Sequence, residues 1–290
     1  MSSGVLKRGT ALAAAAVILI AALLSGGCSS VAGKTAAADR PAVVEKEGWT
    51  EVGDDIYVFT SDFYLANAVL VTAGDEAVLV DTGQNGEDKQ KIQSFLNERK
   101  LKLKNIIITH MHSDHSANLE TLRTAGMEPA TPLTIKDGQT IKLGDKTLKL
   151  MLTEGHFTPK GHLSVEVVED KILIAGDVIC NNILPPIAAG GNLKALLGTL
   201  RKLEADNYAL IIPGHGEITD NEMIFKRQFE YLENARKQLE KIIASGGRMS
   251  DLRGIKLEDC IADTSYLYEE QLDYWHRRSL ETIYMQLRSK

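Results

Sequence analysis

The stretch Asn105-Ile106-Ile107-Ile108-Thr109-His110-Met111-His112-Ser113-Asp114-His115 constrains this chain more than any other. Three β-branched residues in a row, Ile106 to Ile108, predict a buried strand. The strand ends in His110, His112, Asp114 and His115. Only seven histidines occur in the chain, and three of them fall within six positions. Imidazole nitrogen and carboxylate oxygen together suit Zn²⁺ and its neighbours in the first transition row. A polar surface loop with unrelated histidines is the alternative, and the clustering argues against it.

Three more turns follow apolar runs and carry ligand-type side chains. His156 follows the predicted strand ending at Leu152, in Thr153-Glu154-Gly155-His156. Asp177 follows Ile172-Leu173-Ile174, and His215 follows Leu210-Ile211-Ile212. Each is preceded by glycine, which lets the backbone turn sharply and present the next side chain. His110, His112, Asp114, His115, His156, Asp177 and His215 make seven potential ligands. One metal takes about three protein ligands plus a water. Seven fit two metals, with Asp177 shared between them.

Around these turns the pattern is mixed. Strands are predicted at 56–59, 67–71, 77–80, 105–109, 140–143, 147–152, 163–168, 171–175 and 209–212. Helices are predicted at 87–99, 116–125, 192–203, 220–244 and 266–288, with Thr219 to Glu222 resembling a capping box. The helix at 192–203 carries Leu193, Leu196, Leu197, Leu200 and Leu203 on one stripe. Two β-rich stretches with helices inserted or following predict two sheets packed together with helices outside. No linker splits residues 46–290, which read as one domain whose C-terminal helices span 220–290.

The motif His110-x-His112-x-Asp114-His115, with His156, Asp177 and His215 following in that order, resembles the metallo-β-lactamase-fold hydrolase superfamily over roughly residues 50–220. The resemblance implies an α/β fold, an αβ/βα four-layer sandwich of two mixed β-sheets with outer helices, with the site at one edge. Carried over residue by residue, it implies that His110, His112 and His156 hold a first metal. Asp114, His115 and His215 hold a second, and Asp177 bridges. Asp81 matches the superfamily's aspartate at a strand end and is expected to orient the site rather than coordinate.

The chain also departs from the family pattern. β-Lactamases proper have cysteine or serine where Asp177 stands, so the ligand set looks like that of glyoxalase II and lactonase relatives. Thr-Pro-Gly-His is here Thr153-Glu154-Gly155-His156, and two residues are inserted before Gly161-His162. His162 is therefore a rival to His156 as ligand; His156 is preferred because it follows its strand directly. Residues 220–290 do not resemble glyoxalase II's glutathione-binding region.

Two zinc ions per chain are expected, with iron or manganese as alternatives. Two cations about 3.5–4 Å apart hold a water between them and make it a nucleophile near neutral pH. The expected activity is metal-dependent hydrolysis of an ester, thioester, lactone or amide by a metal-bridging hydroxide, with Asp114 orienting it and accepting its proton. Rival readings are a mononuclear iron oxidoreductase resembling persulfide dioxygenases, a β-lactamase proper, and a non-catalytic lipoprotein. Substrate contacts are expected from Asn181, Asn182 and the loop Leu184 to Ile187. Tyr266, Tyr268, Tyr274, Trp275 and Tyr284 are expected mainly to pack, with lining a substrate pocket or a partner face as the alternative, and His276 is expected at the surface or in packing.

The N-terminus predicts export. Lys7 and Arg8 precede an apolar run of 14 residues, Ala11 to Leu24, which is short of the about 20 residues of a membrane span. Leu24-Ser25-Gly26-Gly27-Cys28 resembles a bacterial lipobox, although Ser25 stands where leucine is usual. Residues 1–27 read as a signal peptide and 28–45 as a flexible tether. A lipidated Cys28 would anchor the chain to a membrane on the extracytoplasmic side; simple cleavage and an uncleaved anchor are the alternatives. Cys180 and Cys260 read as separate buried thiols, although an oxidising compartment would let them pair. The formal charge of −6 gives no electrostatic reason to expect nucleic acid, so the expected partner is a small molecule.

Overall fold

Strand β1 (Val43–Lys46) opens a six-stranded sheet with β2 (Trp49–Val52), β3 (Ile56–Thr60), β4 (Asn67–Ala73) and β5 (Glu76–Val80). Helix α1 (Gly86–Glu98) then crosses over to β6 (Lys102–Ile107), which lies parallel to β5. Two single-turn helices follow, α2 (Ser113–Ser116) and α3 (Leu119–Leu122). The second sheet repeats the plan. Strands β7 (Thr140–Leu143), β8 (Lys146–Thr153), β9 (His162–Val167) and β10 (Ile172–Cys180) meander antiparallel, and α4 (Leu193–Ala205) crosses to β11 (Leu210–His215), parallel to β10. Helices α5 (Asn221–Ala244) and α6 (Leu272–Arg288) end the chain, separated by 3₁₀ turns at Met249–Gly254 and Leu257–Asp259. The computed structural model describes residues 42–46, 48–158, 160–188, 190–269 and 272–289. The predicted signal peptide, Cys28 and most of the predicted tether lie outside them.

Burial makes this a four-layer αβ/βα sandwich. One cluster fills the space between the sheets, with Val69, Val71, Ile107, Leu150, Val165, Ile174 and Ile212. A second packs α1 on the outer face of the first sheet, through Ile92, Phe95, Ile106 and Ile108. A third packs α4, α5 and α6 on the second sheet. Successive strand residues point to opposite faces. Ile107 therefore faces the central core while Ile106 and Ile108 face α1, which explains the unbroken apolar run that opens the metal motif.

Several boundaries differ from the sequence expectations for physical reasons. Val43–Lys46, partly inside the predicted tether, pairs with β2. The single helix expected at 116–125 is instead the two short turns α2 and α3. Asp177 lies not in a turn after the strand but within β10, at a bulge where Gly176 (φ 58°) shifts the register against β11. Thr219 does not cap α5, because its backbone pairs both ways with Ile211, and Asp220 occupies the N-cap position. The last helix begins at Leu272 rather than Tyr266. Asn182 holds the chain before it, accepting from Tyr268 N–H at 2.8 Å and donating to Tyr266 O at 3.0 Å.

Candidate metal centre

All seven predicted ligands converge at one edge of the sandwich, where β5, β6, β8, β10 and β11 end. Asp81, just past β5, fixes the first of them. It sits in the left-handed region at φ 60°, and its Oδ1 accepts Thr109 N–H at 2.8 Å. Its Oδ2 accepts Thr109 Oγ1–H and His115 Nδ1–H, both at 2.8 Å. His112 is the N-cap residue of α2, so that one turn projects Asp114 and His115 back toward the sheet ends.

The hydrogen bonds settle which imidazole nitrogens face the centre. His156 Nδ1 donates to Pro186 O at 2.8 Å, and His215 Nδ1 donates to Tyr64 O at 2.7 Å. Thr109 Oγ1 gives its proton to Asp81, so its contact with His110 Nδ1 at 3.2 Å makes that nitrogen the donor. His115 Nδ1 faces Asp81. Each of these rings thus spends its Nδ1–H on an outer acceptor and turns the Nε2 lone pair inward, the arrangement metal-ligating histidines use. His112 turns Nδ1 inward, 2.9 Å from His110 Nε2 and 3.4 Å from His156 Nε2.

These inward atoms form two groups, each within 4.8 Å: His110, His112, His156 and Asp177, and Asp114, His115 and His215. Asp177 joins them. Its Oδ2 lies 3.3 Å from His156 Nε2 and 3.6 Å from His110 Nε2. Its Oδ1 lies 3.1 Å from His115 Nε2 and 3.3 Å from His215 Nε2, yet is buried without a hydrogen bond of sound geometry. A buried carboxylate oxygen with an orphaned lone pair, facing imidazole lone pairs, is unfavourable on its own. A divalent cation in each group satisfies all of them, so the donor set fits two metals.

The electrostatics agree. Burial pushes His110 well below its ordinary range, lowers His112, and takes His156 down to about 4. The shift favours the neutral imidazole, the form in which histidine binds a metal. Burial alone would lower His115 and His215 too; Asp177, with Asp81 at His115, reverses this and raises both. Burial alone would raise the Asp177 carboxyl, but His215 and His115 hold it well below the usual carboxylate range. The upward push at His115 and His215 shows that the surroundings favour positive charge there.

His162, the rival ligand, is buried beside the site but outside both groups. Its Nε2 accepts Asp177 N–H at 3.0 Å and its Nδ1 meets Thr153 Oγ1 at 2.6 Å, so neither nitrogen is available. Asn181 and Asn182 do not face the cleft as expected. They bracket the backbone instead, with Asn181 Nδ2 donating to Glu217 O and Asn182 Oδ1 accepting Glu217 N–H, both at 3.0 Å. Cys180 and Cys260 are buried, unpaired thiols.

A cleft of about 420 Å³ opens over the ligands, bounded in part by Ile183, Pro186 and Ile187. Half of its aromatic side, Phe63 and Tyr64, was not expected from the sequence. Phe63 and Tyr64 enter from the β3–β4 loop, and Tyr274 and Trp275, for which pocket lining was the alternative to packing, line it from α6. Tyr64 and Leu65 both adopt positive φ, 51° and 57°, which is costly for non-glycine residues and concentrates at functional sites. The twist aims Tyr64 O at His215. An aromatic pair in a short loop, Phe63-Tyr64, was the available signal.

A two-sheet sandwich with this converging His/Asp set defines a metallo-hydrolase. The family model described as the metallo-beta-lactamase superfamily matches residues 61–132 and 128–215, and the chain belongs to that superfamily. It is 26% identical over 215 residues to the atrochrysone carboxyl ACP thioesterase AgnL7 of Paecilomyces divaricatus, covering 68% of this chain and 67% of the relative. It is 26% identical over 195 residues to a beta-lactamase-like protein 2 homolog of Caenorhabditis elegans, covering 61% and 64%. The chain thus spans about two thirds of these relatives' length. Among solved structures, a metallo-beta-lactamase from Pontibacter korlensis superposes with a TM-score of 0.58 at 20% identity, covering 64% of this chain and 98% of the other. A metallo-beta-lactamase family protein from Thermus thermophilus gives 0.57 at 18%, covering 81% and 94%.

Proposed function

We propose that this chain is a dinuclear zinc hydrolase that cleaves an ester, thioester, lactone or amide. The observation that carries the reading is Asp177, whose two oxygens each face a different group of inward imidazoles. His110, His112 and His156 would hold one cation, Asp114, His115 and His215 the other, with Asp177 between. Bound there, the cations supply Lewis acidity and a water that is nucleophilic near neutral pH.

The chain's own residues supply orientation and proton handling. Asp81 and the carbonyls of Pro186 and Tyr64 lock the ring orientations. Asp114 is the carboxylate that opens to the cleft, with its side chain 17% exposed against 3% for Asp177. Its Oδ2, 3.4 Å from His215 Nε2, is placed to accept the proton of an attacking water. The named thioesterase relative supports acyl transfer to water over phosphoryl chemistry. The signal-like N-terminus and Cys28 support a place on the extracytoplasmic face of a membrane, and loss of palmitate labelling in Cys28→Ala checks it.

The test is a hydrolysis panel with zinc, manganese or iron added: a lactone, a glutathione thioester, a β-lactam and a phosphodiester, together with metal analysis. Near two zinc per chain, turnover of a carbonyl substrate, and its loss in a folded His112→Ala protein are expected. One iron per chain with oxygen consumption would overturn the reading.

A further inference from the structure

The family match ends at residue 215, and α6 lies beyond it. Yet α6 forms one wall of the cleft, through Tyr274, Trp275 and Arg278. The rings on that side make a continuous row. Phe63 and Tyr64 are 4.3 Å apart between centroids, Tyr64 and Trp275 5.8 Å, and Trp275 and Tyr274 5.1 Å. Phe63 is 39% exposed and Tyr274 53%. Large apolar rings left open beside a polar centre are a binding surface rather than core.

Arg278 is the one lysine or arginine among the described residues lining the cleft. Its acidic neighbour is Glu281, one turn along α6, with 3.7 Å between Nη1 and Oε2. Both are substantially exposed, and such a surface pair contributes little. The guanidinium carries five N–H donors in a planar fork, so most of its donor capacity stays free. A fork of this kind matches the two oxygens of a carboxylate or the edge of a phosphate.

We infer that the cleft selects an acyl or aryl substrate that carries an anionic group, carboxylate or phosphate, with the aromatic row holding the apolar body and Arg278 the anion. The inference rests on the hydrolase reading for what happens to that substrate, but the recognition site stands on its own geometry. The apolar row alone is indifferent to charge. The arginine gives direction, because it fixes which end of the molecule lies over α6 and which lies over the histidines.

Binding and turnover test it separately. The full protein is titrated with 4-phenylbutyrate, 4-phenylbutanamide and 3-phenylpropyl phosphate, read by tryptophan fluorescence. Trp275 is the tryptophan in the cleft, whereas Trp49 is buried under α1. The carboxylate, the phosphate or both should bind about ten- to hundredfold tighter than the amide, and whichever does identifies the anion. Arg278→Met keeps the apolar stem and should bring that ratio to about one. In parallel, kcat/KM is compared for p-nitrophenyl butyrate and the mono-p-nitrophenyl ester of glutaric acid, and Arg278→Met should collapse the preference for the acid. Equal binding of all three ligands by the native protein, or a preference that survives in Arg278→Met, overturns the inference. Failure to cleave either ester counts against the hydrolase reading, and the fluorescence titration still decides the anion site.

Discussion

The backbone N–H of Asp177 donates to His162 Nε2 at 3.0 Å, so the carboxylate that faces both side-chain groups is held in place by a histidine outside them. The bond fixes the tautomer: Nε2 accepts, and Nδ1–H donates to Thr153 Oγ1. Thr153 passes its own proton to Ser164 Oγ at 3.3 Å, and Ser164 donates to Ala175 O at 2.7 Å. The chain of donors runs from β10 through β9 and β8 and back to β10, two residues before Asp177. Gly176 is required at its centre, since a Cβ there would lie 2.7 Å from His162 Nε2. Thr153→Val keeps the shape and removes the acceptor of His162 Nδ1–H. It should cost about 1–3 kcal/mol by urea unfolding and weaken metal retention against a chelator. Unchanged metal affinity would remove the link between His162 and Asp177.

Asp81 is the second support. It is buried and accepts three donors, two from Thr109 and one from His115. Asp81→Asn is the informative variant, because asparagine tolerates the left-handed backbone found there. It places an amide NH₂ against a donor. A loss of about 2–4 kcal/mol is expected, read from the urea midpoint at constant m, with a lower metal content per chain. An unchanged midpoint would show that the Asp81 network is not what holds Thr109 and His115.

Metal removal should destabilise the protein measurably. At free metal about 100 times Kd, one site contributes about 2.7 kcal/mol. For a domain of this size that is about 5–10 °C in Tm. Chelation should therefore lower Tm by at least that amount, with restoration by added zinc. A Tm indifferent to chelator, in protein shown to have lost its metal, would count against ligands that are strained without a cation.

Much of this site was legible in the sequence because its candidate ligands follow apolar runs, three of them directly after a glycine. Their division into two groups does not follow chain order, since His156 joins His110 and His112 whereas His215 joins Asp114 and His115. What was not legible depends on long-range contact. Phe63 and Tyr64 read as an ordinary loop until α6 brings Trp275 against them. Thr153 and Ser164 look like routine polar positions in alternating strands, and only the β8–β9 register, which pairs Thr153 with His162, gives them a role. For Asn181 and Asn182, nearness in sequence to Asp177 is not nearness to the cleft. Their amides close the turn against Glu217 and the segment before α6 instead.

That segment and α6 carry a pH dependence independent of the metal ligands. His276 is buried, its Nδ1 3.1 Å from Tyr231 Oη and its Nε2 3.3 Å from Ile255 O. A carbonyl only accepts, so Nε2 carries the proton and Nδ1 accepts from Tyr231. The ring is therefore neutral and fully paired. Burial lowers its pKa below the ordinary 6.5, against smaller opposing effects from the Ile255 carbonyl and from Asp273, Glu258 and Asp259. The unfolded chain takes up the proton near 6.5 while the folded chain resists it. Its contribution is thus complete above about pH 6.5 and declines as the pH falls toward and through the folded value. The metal-free protein should lose part of its urea stability between pH 7.5 and 5.5. His276→Gln cannot ionise, and should be less stable than the native chain at pH 7.5 but show a shallower decline over that interval. Because Trp275 is the adjacent residue on α6, its fluorescence should shift early in the acid transition. A His276→Gln profile parallel to that of the native chain would assign the acid sensitivity to other groups.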